Sequence, residues 1–185
     1  MKNPYAIGKS IYLRTPRSED VEGRWHEWFS DPETTRFLGD RWWPNTVEQQ
    51  RSFYEATLAS KERLVLLICI RTTDETVGVC NISNISWVHR YADIALVIGE
   101  PQFRTGSIAI DALAMLVEIA FNRLNLLNLR STHASDNPHT PLLEKLFGFK
   151  EIGRFSKIAF SRGKYVDNVY SQLSREDWYT RNHPV

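Results

Sequence analysis

The sequence lacks an excess of either charge. Its 23 lysines and arginines stand against 22 aspartates and glutamates, a formal net charge of +1 over 185 residues. Proteins dedicated to nucleic acid carry a basic excess or stripe, so no nucleic-acid partner is expected. Long hydrophobic runs are also missing. The longest, Leu64–Ile70, falls far short of the roughly 20 residues needed to cross a bilayer. Residues 1–10 hold lysines without the apolar stretch of a signal peptide, so neither membrane nor export is expected. Cysteine is scarce: Cys69 and Cys80 are too few for the disulfide framework of a small secreted protein. They read as two buried thiols in a reducing, cytoplasmic setting. No repeat, low-complexity tract or Gly/Ser/Pro-rich linker divides the chain, which predicts one domain over residues 1–185. The histidines make no zinc-like spacing with the cysteines, so no metal is expected, and no three-glycine dinucleotide fingerprint is present.

Short strands alternate with amphipathic helices. Ile11–Arg14 reads as a first strand. Ser18-Glu19-Asp20 is a helix-start signal, with Val21, Trp25, Trp28 and Phe29 recurring at helical spacing. Asp31-Pro32 predicts a short helix through Phe37, stopped by Gly39. Thr46 caps a further helix with Gln49 as its capping-box partner, and Phe53, Tyr54, Thr57 and Leu58 give that helix one face. Leu64–Ile70 is the continuous apolar run of a buried strand, followed by strands at residues 77–83 and Tyr91–Ile98. Residues 108–124 form the longest helical pattern, apolar nearly all round and so expected to pack hard on the sheet. A strand at 126–132, a helix at 137–147 and a hairpin of 149–160 with 165–173 complete the chain. Such an order means α+β or mixed α/β.

The loop Phe103-Arg104-Thr105-Gly106-Ser107 joins a strand to the longest helix. A helix start exposes unpaired N–H groups under a positive dipole. Small residues there admit a phosphate to the backbone, and Arg104 adds a guanidinium fork suited to it. A plain helix cap at Ser107 would produce the same local sequence.

The order and spacing of several phrases resemble the GCN5-related N-acetyltransferases (GNAT), in the branch containing the ribosomal-protein N-terminal acetyltransferases. They include Ile11-Tyr12-Leu13-Arg14 with Ser18-Glu19-Asp20, Trp28-Phe29-Ser30-Asp31-Pro32-Glu33, Ala92-Asp93-Ile94, Asp136-Asn137-Pro138 and Gly148-Phe149-Lys150-Glu151. The resemblance spans almost the whole chain. It implies a mixed, mostly antiparallel central sheet flanked by helices, with two splayed central strands, Tyr91–Ile98 and residues 126–132, admitting the pantetheine arm of acetyl-CoA. The family's Arg/Gln-x-x-Gly-x-Gly/Ala loop falls on Arg104, with Ser107 at the middle glycine and Ala109 at the last position. The implied cofactor contacts are therefore Ile98, Arg104, Thr105, Gly106, Ser107, Ile108, Ala109 and Asn137.

The resemblance also implies direct acetyl transfer to a primary amine: a protein N-terminus, an aminosugar or another small amine. The acceptor is thus a small molecule or peptide, and the protein a monomer or homodimer. Asp93 occupies the carboxylate position of the family's Ala-Glu-Ile phrase and is the first candidate base. His89 is the second, and His133 could face the same cleft. Glu144 stands where many members carry a tyrosine acid. Trp42, Trp43, Trp87 and Tyr54 fall in segments that form the acceptor cleft in this family, so the resemblance makes them candidate acceptor-binding residues; Trp42 and Trp43 are also adjacent indoles in a loop, which cannot both enter a core. The alternative is a catalytically silent CoA-binding or ligand-sensing module, which the serine in the loop and the missing tyrosine would suit.

Overall fold

The structure is a computed structural model that describes residues 1–39, 43–161 and 163–182. Its centre is one eight-stranded sheet in the order β1-β2-β3-β4-β5-β6-β8-β7. The strands are β1 (Ala6–Ile7), β2 (Ile11–Arg14), β3 (Leu64–Ile70), β4 (Thr76–Ser86), β5 (Tyr91–Ile98), β6 (Asn128–Ala134), β7 (Lys150–Ser161) and β8 (Lys164–Ser174). The helices are α1 (Ser18–Val21), α2 (Arg24–Ser30), α3 (Val47–Ala59), α4 (Ser107–Glu118), α5 (Thr140–Phe147) and α6 (Arg175–Asn182). All strand neighbours are antiparallel except β5 and β6.

Alternation along the strands divides the buried residues between two faces. Ile11, Leu13, Leu66, Ile68, Cys80, Ile82, Ala92 and Ile94 point to one face, where Ile108, Ala112, Leu113 and Leu116 of α4, Phe147 of α5 and Trp178 of α6 pack on them. Tyr12, Val65, Leu67, Cys69 and Val79 point to the other, under Trp25 and Trp28 of α2. Both cysteines are buried and free. Among the described residues, no helix is long and apolar enough to cross a membrane.

The parallel pair positions the site. β5 and β6 match only at Tyr91↔Asn128, Ala92↔Leu129 and Asp93↔Arg130. Beyond Asp93 the strands diverge, and the edge of residues 94–98 that faces β6 has no strand partner among the described residues. This is the expected splay, with its vertex at Asp93 and Arg130.

Several local expectations are corrected. Gly23 splits the first helix in two, and residues 32–37 form successive turns. Asp31 holds that segment through bonds from the Glu33 and Thr34 amides and the Thr34 hydroxyl, so the local side chain competes with a helical ladder. The longest helix is α-helical only to Glu118 and continues as a π-helical turn, Ile119–Arg123. β6 starts two residues late, because the Leu126 amide bonds the Ala120 carbonyl and Leu126 is buried in the core. The helix expected from 137 begins at Thr140. Two elements had no counterpart in the sequence reading, β1 and α6.

Candidate active site

The loop after β5 is fixed from both faces before it delivers α4. The Gly99 and Glu100 amides donate to the Val77 carbonyl at 2.9 and 3.1 Å. The Glu100 carboxylate accepts from Arg24 Nε at 2.6 Å, Arg24 Nη2 at 3.0 Å and Trp28 Nε1 at 2.9 Å. The hydrogen bond from Arg24 leads in holding this carboxyl below its ordinary value, against an upward push from burial. Gly99 is needed for close approach: a Cβ there would lie 2.1 Å from Trp28 Cδ2.

Arg104 locks the same loop. Its Nε donates to the Ile98 carbonyl at 3.1 Å, and its Nη2 donates to the Gly99 carbonyl at 2.9 Å and to Thr34 Oγ1 at 2.7 Å. Only Nη1 is without a partner among the described residues, so most of the guanidinium that was expected to meet phosphate instead shapes the turn.

Gly106 is the N-cap of α4, with φ +81° and no side-chain cap. The first helical bond runs from the Ile110 amide to the Gly106 carbonyl. The amides of Ser107, Ile108 and Ala109 consequently have no intrahelical acceptor, and no other acceptor among the described residues reaches them. A Cβ on Gly106 would meet nothing within 4 Å, so the N-cap position itself is uncrowded. Ser107 is the first helical residue rather than the cap, and its hydroxyl lies 3.0 Å from Thr105 Oγ1. These features fit an anionic diphosphate: free donors, a positive helix end and no obstructing side chain.

The remaining candidates are scattered. Asp93 stands at the vertex of the splay, accepting from Arg130 Nε on one oxygen and Asn84 Nδ2 on the other, each at 2.7 Å. His89 lies in the β4–β5 turn, at the end of β5 opposite the mouth of α4, with its ring parallel to Tyr91. The Asn137 Oδ1 accepts from the amides of His139 and Thr140 and its Nδ2 donates to Thr140 Oγ1, so it organises the turn before α5. Trp43 is 79% exposed. Trp87 is exposed as well, with its Nε1 donating to the Lys61 carbonyl. Tyr54 packs beside the smaller core. Trp42 lies outside the described residues.

A cleft of about 550 Å³ opens at the end of β6. Phe37 and Leu38 form one wall, Thr132, His133 and Ala134 the floor, and Ile158, Phe160 and Asn168 of the hairpin the other wall. None of Trp43, Trp87 and Tyr54 lines it. The segment before it spans the mouth of the splay, with Thr34 on Arg104 and Phe37 edge-on to His139 at 6.0 Å.

Beneath the cleft lies a polar group that sequence reasoning did not assemble. His133 Nδ1 is 3.1 Å from Glu144 Oε1, and Ser171 Oγ donates to Glu144 Oε2 at 2.8 Å, with all three residues buried. Burial pushes the Glu144 carboxyl up; hydrogen bonds from His133, Ser131 and Ser171 outweigh it, leaving the carboxyl below its ordinary value. The site therefore stabilises the carboxylate form of Glu144.

The family model for the acetyltransferase (GNAT) domain matches residues 10–149. The chain is 25% identical over 182 residues to an uncharacterized N-acetyltransferase, YokL, of a Bacillus subtilis prophage, covering 97% of each chain. The spermidine N-acetyltransferase of Vibrio cholerae, solved with CoA and spermine, superposes with a TM-score of 0.83 at 17% identity, over 91% of this chain and 98% of that one. Mycobacterium smegmatis RimJ, solved with CoA-disulfide, gives 0.79 at 20% identity, over 90% and 83%. With a family match across most of its length and this splayed-sheet fold, the chain belongs to the GNAT acetyltransferase family.

Proposed function

We propose that the protein transfers the acetyl group of acetyl-CoA directly to a primary amine. The observation that carries this reading is the open row of amides at Ser107, Ile108 and Ala109, next to a sheet edge left bare between β5 and β6. The amides would hold the diphosphate, and the Thr105 and Ser107 hydroxyls stand beside them as further donors. Each such charge-assisted bond contributes about 1.5–3 kcal/mol. Arg104 keeps the loop in the shape that aims the amides outward. The bare edge of residues 94–98 offers main-chain donors and acceptors to an extended, amide-bearing arm, as another strand would. The cosubstrate supplies a thioester, whose carbonyl carbon is already reactive toward a neutral amine.

The acceptor would enter through the cleft over His133, flanked by Phe37 and Phe160. A protein N-terminus, an aminosugar or a small amine all fall within this reading. The comparison proteins support the cosubstrate, two of them having been solved with CoA or its disulfide. The test combines acetyl-CoA with a panel of peptides, aminosugars and polyamines and follows thiol release. Turnover of at least one amine is expected. The absence of both thiol release and any acetyl-CoA-dependent rise in melting temperature would overturn the reading.

A further inference from the structure

We propose that His133 is the proton-transfer group of the acceptor cleft, held in its working orientation by Glu144 and Ser171. The inference rests on the acetyl-transfer reading above.

Three observations carry it. First, the ring is fixed by one nitrogen only: Nδ1 meets Glu144 Oε1 at 3.1 Å, while Nε2 has no partner among the described residues. His133 is also part of the floor of the cleft. Second, the carboxylate that orients the ring is itself oriented, because Glu144 Oε2 accepts from Ser171 Oγ at 2.8 Å. Hydroxyl, carboxylate and imidazole thus form a chain across β8, α5 and β6. Third, the position is right. His133 lies three residues past Arg130 on β6, roughly 10 Å beyond the vertex of the splay. An imidazole backed by a carboxylate, with its other nitrogen unpartnered among the described residues at a position bordering the cleft, is the arrangement that holds one tautomer and stabilises the cation formed on proton uptake.

The step balances as follows. Nε2 takes one proton from the ammonium of the acceptor, and the nitrogen lone pair so released forms the C–N bond as the C–S bond breaks. The departing sulfur gains a second proton from that nitrogen, and the imidazolium returns its proton to solvent. Besides Glu144 of α5, the charged groups near this region among the described residues include Glu151 of β7, itself paired with Arg154, Arg36 at the cleft wall, and Asp136, which accepts from Ser161 Oγ. Asp93 is not needed for the step, its two oxygens being engaged by Arg130 and Asn84.

The test compares His133→Ala, His133→Gln and Glu144→Gln with the parent, by pH profile and CoA binding. Both His133 variants should lose about 10²–10³-fold in kcat while binding CoA within threefold of the parent. The acid limb of the kcat/KM profile should vanish with them. Free imidazole should restore turnover to His133→Ala, which a purely structural role would not permit. Glu144→Gln should lose about tenfold in kcat, since the ring loses the carboxylate that orients it. An active parent whose His133 variants keep its rate and profile overturns this proposal alone. A parent that acetylates no amine overturns it together with the reading it rests on.

Discussion

Ser107→Asp separates the two things that a helix mouth can do. Ser107 occupies the first turn of α4, with its amide free and Thr105 Oγ1 3.0 Å from its hydroxyl. A carboxylate at this point favours the helix itself, by about 0.3–1 kcal/mol through the dipole, and can accept from the Thr105 hydroxyl. Folding should therefore be unharmed, with a melting temperature raised by about 1–3 °C. A diphosphate seated on the same amides would meet a negative charge instead. Two unit charges about 6 Å apart repel by about 1.4 kcal/mol at an effective dielectric of about 40. A diphosphate presents about two such charges, so the cost is about 3 kcal/mol, or ~100-fold in affinity. Ser107→Ala keeps the amide and loses only the hydroxyl, so it should weaken binding by less than about fivefold. Calorimetric titration with CoA at fixed ionic strength reads both. If the folded aspartate variant binds within threefold of the parent, the diphosphate does not sit at the mouth of α4.

Two further outcomes concern the scaffold. Gly99→Ala would drive a methyl into the Trp28 indole, at 2.1–2.4 Å from three ring atoms, and displace it from Glu100. Overpacking and the broken bond together predict a loss of about 3–5 kcal/mol and roughly 10 °C in melting temperature; a fall under about 3 °C would refute the contact. The Glu100 carboxyl is held below its ordinary value, chiefly by Arg24, so the unfolded chain takes up the proton first as pH falls. Its contribution is complete at neutral pH and is lost from about pH 5 downward. Urea denaturation across pH should show Glu100→Gln less stable at pH 7 and converging on the parent in acid, whereas parallel curves would contradict the pairing.

Much of the scaffold can be read from local sequence. Thr46 and Gln49 form the reciprocal cap that their spacing announces, and the apolar run at Leu64–Ile70 is a buried interior strand. Trp25 and Trp28 are core residues, as helical spacing implies. The start of β6 was misplaced because Leu126 and Leu127 look like strand residues, while the Leu126 amide and side chain belong to the helical turn before it. The last helix carried a legible signal, Ser174 accepting from the Asp177 amide three residues on, at 3.0 Å. The site was less legible for a physical reason. His133 and Glu144 are 11 residues apart on a strand and a helix, and Ser171 follows on a third element. Each alone looks like an ordinary polar residue, and only the packing of α5 over β6 and β8 joins them. Arg104 shows what local sequence leaves out: its neighbours suggest a phosphate ligand, but a local phrase does not reveal that the Ile98 and Gly99 carbonyls turn back toward it.

The seam between β5 and β6 also bears on mechanics. An ordinary sheet of this width resists shear through every adjacent strand, yet here the two halves are stitched at only three residue pairs, ending at Asp93 and Arg130. The ion pair at that point marks the last paired position of the seam, and a ligand laid along the gap would serve as the missing strand. Amide protons bordering the gap should therefore exchange fastest in the free protein and slow most on loading, so that catalysis and stiffness rise together.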